Sequence, residues 1–205
     1  MSISFPLFYP GVSGFASIEW IQDRVQAASQ SPYTLAQQRF DHMGERWRAK
    51  VTLPAMQREN AAQWRAWVSA VSRSTGSFYL GDPYEPTPRG LALGSPVVAG
   101  PDQTGRTLGT TGWAASITGI LLAGDWVQIG TRLHMIQVDC NSDASGNATL
   151  ELFPRLTTAP NDGGTVVTNS PVGLFRISSA SSRSLHRVTS RRVYDAFAFE
   201  CVEAS

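Results

Sequence analysis

The sequence has little of what most specialised chemistry requires. Only two of its 205 residues are cysteine, Cys140 and Cys201, and they lack the C-x-x-C spacing of a structural zinc site. We therefore expect both to be buried free thiols. No G-x-S-x-G, Walker, H-E-x-x-H or G-x-G-x-x-G motif occurs. Nothing in the sequence demands catalysis, and we expect neither an enzyme activity nor a cofactor.

Charge and long apolar runs are also scarce. Charged residues make up 16% of the chain, and 17 basic against 16 acidic residues leave a net charge of +1, which offers no polyanion-binding surface. No apolar run approaches the roughly 18 residues of a membrane helix, and no basic region precedes Pro6 and Pro10. The sequence predicts a soluble, unexported chain without membrane insertion or sequence-specific nucleic-acid binding.

One segment, residues 59–76, has helical periodicity. Two indoles and two valines fall on one face of it at i, i+3, i+4 and i+7, namely Trp64, Trp67, Val68 and Val71. Gly76 is placed to end the helix, whereas its start lacks a Ser, Thr, Asp or Asn cap. The pattern predicts a helix of about residues 57–74 with one buried face.

Most of the remaining chain alternates like strands separated by turns. Residues 46–53 carry Trp, Ala, Val and Leu on one face and basic residues or Thr on the other, which predicts a half-buried strand. Residues 17–28 are interpreted as a strand, with a frayed helix as the alternative. Residues 94–170 are short apolar runs broken by Gly, Thr, Ser and Asn, typical of a small all-β module. A final strand is predicted at residues 194–201.

Residues 139–151 look like a calcium loop, because Asp139, Asn141 and Asp143 place oxygen ligands on alternate positions. An EF-hand loop needs glycine at its sixth position and glutamate at its twelfth, where this sequence has Ala144 and Leu150. The flanking segments alternate like strands, not like helices. We therefore predict a hairpin connection and no metal site.

The histidines offer no clear reactive centre. His134 and Cys140 share strand parity, but six residues of strand separate them by roughly 20 Å, which excludes a dyad. Packing in the core or at a sheet edge is the better interpretation. His42 follows Asp41, and we place this pair in a turn or on the surface.

Residues 46–83 resemble tail-assembly proteins of long-tailed bacteriophages of Gram-negative hosts, and more narrowly the distal tail protein class. In that pattern a strand with a tryptophan leads through a Leu-Pro step to an aromatic helix, and then to a Phe-x-Leu-Gly-Asp-Pro strand end. Residues 123–156 are similar to a recurring module of the same phage proteins, with a Gly-Asp-aromatic strand start and a Ser-Asp-Ala-Ser-Gly-Asn-Ala turn. The matching positions of the first block are Trp47, Leu53, Pro54, Trp64, Trp67, Phe78, Leu80, Gly81, Asp82 and Pro83.

The resemblance implies a mainly β fold. Residues 1–85 together with 171–205 would form a β-sandwich or barrel-like ring domain with one flanking helix, and residues 86–170 would form an inserted small β-barrel domain. Ring contacts are expected on the strands at residues 46–53 and 194–201 and on the loops beside them, and the insertion is expected to be dispensable for closure. The structural or interface candidates are Trp47, Trp64, Trp67, Phe78, Leu80, Gly81, Asp82, Pro83, Tyr194, Phe197 and Phe199.

The function implied is that of a structural subunit in the virion tail, assembled in the host cytoplasm. A ring, expected to be a hexamer, would join the tail tube to the baseplate or tail tip, with the tail tube protein and tail hub or tip proteins as partners. Two alternatives stay open within tails: a neighbouring hub component, or a carbohydrate- or receptor-binding module in which Trp113 and Trp126 stack on sugars. A hydrolase would need clustered acids with perturbed pKa values, and the sequence offers no such pair.

Overall fold

The computed structural model describes residues 3–12, 14–178 and 198–204. Within these residues the chain is mainly β with a single helix and two sheets, which confirms the predicted fold class. The elements are β1 Ser17–Gln30, β2 Gln37–Thr52, α1 Arg58–Val71, β3 Phe78–Leu80, β4 Gly94–Val98, β5 Gly105–Trp113, β6 Trp126–Ile129, β7 Arg132–Ile136, β8 Ala148–Leu156, β9 Val166–Val167, β10 Gly173–Ile177 and β11 Ala198–Glu203.

The first sheet joins the beginning and the end of the chain. Its strand order is β1-β2-β11-β10-β3, and every neighbouring pair is antiparallel. Strand β11 lies between β2 and β10, so the last strand completes a sheet begun by the first two. This is the pairing expected if residues 86–170 are an insertion, although the domain division itself stays a prediction.

Strand β2 carries the alternation that the sequence predicts. Trp47, Ala49 and Val51 are almost fully buried, and Leu53, just beyond the strand, is buried too, whereas Lys50 is exposed. Residues 17–28 are strand, as predicted. Strand β2, however, begins at Gln37, nine residues before the predicted start, and pairs with β1 at both ends, with an irregularity after Arg24. The sequence pattern therefore located the buried half of a much longer hairpin.

Helix α1 covers one face of the first sheet. The four predicted stripe residues are all buried, with Trp64 fully enclosed. The helix ends at Val71, so the prediction that Gly76 terminates it is wrong. Ser72 forms the C-cap instead, because both its backbone N–H and its hydroxyl donate to the carbonyl of Val68. At the other end Gln57 makes no side-chain cap hydrogen bond, consistent with the missing cap residue.

The second sheet curls into a nearly closed barrel. Its strand order is β4-β5-β8-β7-β6-β9, and a bridge between Val97 and Thr165 brings its two ends together. Closure of this kind removes most unpaired strand edges. The interior is filled by aliphatic side chains such as Leu108, Ile120 and Leu150, all fully buried.

The two sheets also share one apolar cluster. Trp126, Leu133 and Phe153 come from the barrel but belong to the core of the first sheet. The ring of Trp47 lies 4.9 Å from those of both Trp126 and Phe153, measured between centroids. Removing the insertion would uncover Trp47, so the expectation that the insertion is dispensable for closure conflicts with this packing.

Candidate assembly surface

A β-hairpin projects from the first sheet beyond the core, and we call its residues 24–45 the arm. Past an irregularity after Arg24, the strands pair from Gln26 opposite Asp41 to Gln30 opposite Gln37. Ser31 closes the turn, since its hydroxyl accepts from the backbone N–H groups of the two residues after Pro32. All residues from 24 to 44 except Ser31 are exposed. Among the described residues the outer arm therefore has almost no packing of its own.

The arm is unusually apolar for a solvated hairpin. Large apolar side chains point into solvent on both strands and at the tip. Their exposed fractions are 57% for Val25, 94% for Tyr33, 69% for Leu35, 66% for Phe40 and 74% for Met43. Scattered exposed apolar residues are ordinary, but a concentration on a projecting hairpin marks a contact surface.

Strand β1 is the edge strand of the first sheet, and its outer half forms one strand of the arm. Strand β2 pairs with β11 at residues 48–52 as well as with β1, and β11 also pairs with β10, so these stretches offer no free edge. The expectation that ring contacts lie on these strands and the loops beside them stays a prediction. Strand β3 is an edge, but Leu7 covers it by exchanging backbone hydrogen bonds with Ser77 and Tyr79. In the described part of the chain β1 therefore leaves a long unpaired edge, 14 residues in length.

Ion pairs fix the root of the arm. Asp23 of β1 accepts from Arg48 at 2.5 Å and from Arg46 at 3.4 Å, both on β2. Burial alone would raise the pKa of Asp23, but the hydrogen bonds and charges of Arg48 and Arg46 outweigh it and hold that pKa below its usual value. The carboxylate is thus ionised at neutral pH and holds the two strands in register.

Glu45, at the base of the arm, ties it to the barrel. Its side chain is 1% exposed and accepts from the guanidinium of Arg106 on β5 at 2.5 Å. The second carboxylate oxygen accepts from the backbone N–H of Arg155 on β8 at 3.0 Å. Arg106 also donates to Asp41, farther out on the arm, at 3.3 Å. A buried charge is tolerated only when paired in this way.

Glu203 of β11 makes a second connection of the same kind. Its side chain is 1% exposed and accepts from Arg132 of β7 at 3.0 Å. Backbone N–H groups of Leu133 and Trp47 donate to the two carboxylate oxygens at 3.2 and 3.4 Å. We call Glu45, Glu203 and their partners the clamp. Each of its two carboxylates pairs with a hydrogen-bonded arginine of the barrel, and these pairs anchor the first sheet to the barrel.

The residues singled out from the sequence are mostly core. Seven of them are buried: Gly81 and six large side chains with exposed fractions between 0 and 7%, namely Trp47, Trp64, Trp67, Phe78, Leu80 and Phe199. Pro83 is exposed. Tyr194 and Phe197 lie outside the described residues. The buried set supports the fold, so the exposed contacts of an assembly must come from elsewhere.

The Gly-Asp step after β3 has a specific structural role. A side chain at Gly81 would place its Cβ 2.2 Å from the carbonyl oxygen of Pro171, so only glycine fits there. Asp82 accepts from the indole N–H of Trp20 at 3.0 Å and from the backbone N–H of Tyr84 at 2.9 Å. The motif therefore fastens the start of the barrel segment to strand β1.

The three oxygen-bearing side chains of the apparent calcium loop accept hydrogen bonds from different residues. Asp139 accepts from the backbone N–H of Ala123, and Asn141 from that of Gly119. Asp143 closes a turn with Asn147, whose backbone and side-chain N–H groups both donate to it and lower the pKa of Asp143. Strands β7 and β8 flank this segment and pair, which confirms the predicted hairpin connection.

The histidines and cysteines are packed or on the surface. His134 is fully buried, and its Nδ1–H donates to the carbonyl of Pro154 at 2.7 Å. Burial and the charge of Arg132 lower the pKa of His134 to about 3, so the ring is neutral. Cys140 and Cys201 are buried free thiols, as predicted. His42 is exposed on strand β2.

Two tryptophans considered for sugar binding are not available to a ligand. Trp113 is 5% and Trp126 is 6% exposed. The indole N–H of Trp113 donates to the hydroxyl of Thr110 at 2.8 Å inside the barrel. Stacking on a sugar requires an open ring face, which neither side chain presents.

No protein-family model matches this chain, and no curated protein matches it. Across the described residues, no helix is long and apolar enough to cross a membrane. The same residues contain no group of three or more His, Cys, Asp or Glu side chains that could hold a metal ion. The candidate site is therefore defined by geometry alone: the arm, the open edge of β1 and the clamp.

Proposed function

We propose that the chain is a structural ring subunit of a bacteriophage tail, of the distal tail protein class, joining the tail tube to the baseplate or tail tip. The ring is proposed to be a hexamer, located in the tail of the virion after assembly in the host cytoplasm. Its proposed partners are further copies of the chain, the tail tube protein and the tail hub or tip proteins.

The observation that carries this proposal is the arm. A projecting hairpin with five exposed large apolar side chains has nothing to cover it within the described residues of its own chain. Contact with another polypeptide would bury these side chains, at roughly 25 cal/mol for each Å² of apolar surface. The open β1 edge beside it could pair with a strand of the same neighbour.

Ring closure places a requirement on these contacts. A cyclic ring needs heterologous interfaces, in which one face of a subunit meets a different face of the next. The arm and the nearly closed barrel give the subunit two unlike faces. The clamp holds the root of the arm against the barrel, so that both faces keep one relative orientation in every subunit.

Sedimentation velocity of matched variants tests the proposal. Phe40→Asp places a charge on the arm and is expected to convert oligomers into monomers. Val138→Asp is the control, because Val138 is similarly exposed, at 60% against 66%, but lies on the barrel between β7 and β8. If the oligomers persist in Phe40→Asp and dissociate in Val138→Asp, the interface lies on the barrel and not on the arm. That result would contradict the proposal.

The alternatives have less support. A carbohydrate-binding module lacks support, because the two side chains considered for stacking on sugars, Trp113 and Trp126, are buried. A hub component next to the ring uses the same contact surface and differs in its neighbours. Symmetry of the purified particle separates the two, because a hub component need not close on itself.

A further inference from the structure

A cavity of about 490 Å³ lies between the root of the arm and the barrel. Its wall includes Arg24, Gly44, Arg132 and Thr157 together with three carboxylates. A cavity of this size holds a small organic molecule or a protein side chain with room to spare. Its polar groups decide which chemistry it accepts.

Each carboxylate of the cavity wall is already paired with an arginine side chain. Asp23, Glu45 and Glu203 each accept from at least one arginine, as described above. Asp23 is paired with two arginines at once. A cation entering the cavity would compete with these arginines, so the wall does not favour a cationic ligand.

Arg24 is the exception among the charged groups of the wall. Its guanidinium carbon lies 4.6 Å from the centre of the Phe153 ring, and one nitrogen donates to Gln22 at 3.2 Å. No carboxylate of the described residues forms an ion pair with it. A guanidinium has five N–H donors in a rigid fork, and packing over an aromatic ring helps to fix its orientation.

We propose that this cavity binds a carboxylate group through the guanidinium of Arg24. A carboxylate accepts two parallel hydrogen bonds from such a fork and neutralises its charge, and within the described residues the side chain of Arg24 donates one hydrogen bond, to Gln22. Two sources offer this chemistry: a small free carboxylate, or an aspartate or glutamate side chain of a second copy of the chain. The site does not depend on ring formation.

The test titrates the full chain with sodium acetate against sodium chloride of equal ionic strength, and follows the backbone amide of Gly44 by NMR. We expect a saturable acetate-specific shift in the wild type and at least tenfold weaker binding in Arg24→Gln. Arg39→Gln is the matched control. Arg39 pairs with Gln37 on the arm as Arg24 pairs with Gln22, but it lies neither over an aromatic ring nor in the cavity wall.

Sedimentation in acetate distinguishes the two sources. Saturable binding without a change in oligomeric state assigns a small free carboxylate. Dissociation by acetate, or by Arg24→Gln alone, assigns a carboxylate side chain of a second copy. The proposal is overturned if the Gly44 shift fails to saturate or is equal in Arg24→Gln, while Arg24→Gln sediments as the wild type does.

Discussion

Glu203 and Arg132 form a buried ion pair that joins the last described strand of the first sheet to the barrel. The two atoms in contact are 3.0 Å apart, and the side chains are 1% and 15% exposed. The residues are 71 positions apart in the sequence. Charges so deeply buried are costly unless paired, so the pair fixes how the two sheets meet.

Breaking this pair is expected to destabilise the fold. Glu203→Ala leaves Arg132 without its counter-charge, at a cost of about 3–5 kcal/mol in the free energy of unfolding. Chemical denaturation measures this cost, with Glu19→Ala as the control, because Glu19 is exposed on the first sheet. The double variant Glu203→Leu with Arg132→Met should lose less than the sum of its single changes. Equal, small losses for Glu203→Ala and Glu19→Ala would show that the clamp is not structural.

The helix stripe supports a second prediction. Trp64 is fully buried, and its indole N–H donates to the carbonyl of Val12 at 2.9 Å. Trp64→Ala and Trp67→Ala are each expected to cost about 3–5 kcal/mol, because a cavity adds to the lost transfer energy. Tyr33→Ala, at the exposed tip of the arm, should change stability by less than about 0.5 kcal/mol. Thermal or chemical denaturation measures these changes in stability. If neither tryptophan variant loses stability, the helix face does not pack in the core.

Local patterns predicted much of the fold. The spacing of Trp64, Trp67, Val68 and Val71 identified the helix, because a period of 3.6 residues leaves a clear apolar stripe. Alternation around Trp47 identified the inner half of β2 in the same way. These signals work where one face is buried, since burial is what selects apolar residues at a fixed period.

The sequence carries no such periodic apolar pattern for the arm or for the clamp. Residues 24–44 are exposed almost throughout, so burial imposes no alternation, and for residues 17–28 the sequence left a frayed helix as the alternative to a strand. Ser31 and Pro32, at the turn of the arm, stand between two glutamine-containing runs. The clamp unites Glu45 with Arg106, 61 positions away, and periodicity carries no information on such distant pairs.

His134 should make stability depend on pH. Its folded pKa of about 3 lies below the ordinary 6.5, so between these values the unfolded chain binds a proton that the folded chain does not. The free energy of unfolding should therefore fall by about 1.4 kcal/mol for each pH unit below 6.5 on account of this residue. Denaturation of the wild type and His134→Gln across this range measures the difference in slope, with His42→Gln as the exposed control. Identical slopes for the wild type and His134→Gln would contradict the assignment.

Calcium should have no effect on stability. Asp139, Asn141 and Asp143 accept hydrogen bonds from the backbone N–H groups of Ala123, Gly119 and Asn147, in that order. Millimolar calcium and a chelator should leave the Tm unchanged, because a ligand of the native state alone would raise it by mass action. A calcium-dependent rise in Tm that Asp143→Ala abolishes would show that the segment is a metal site.

The central claim is that the chain acts by assembling into a ring, and class averaging of the purified protein by electron microscopy tests it most directly. We expect closed rings with rotational symmetry, six-fold by the resemblance, and a lumen wide enough for double-stranded DNA. Phe40→Asp should abolish these rings, and Val138→Asp should leave them intact. Monomers at every concentration, with the tail tube protein present as well as absent, would contradict the account.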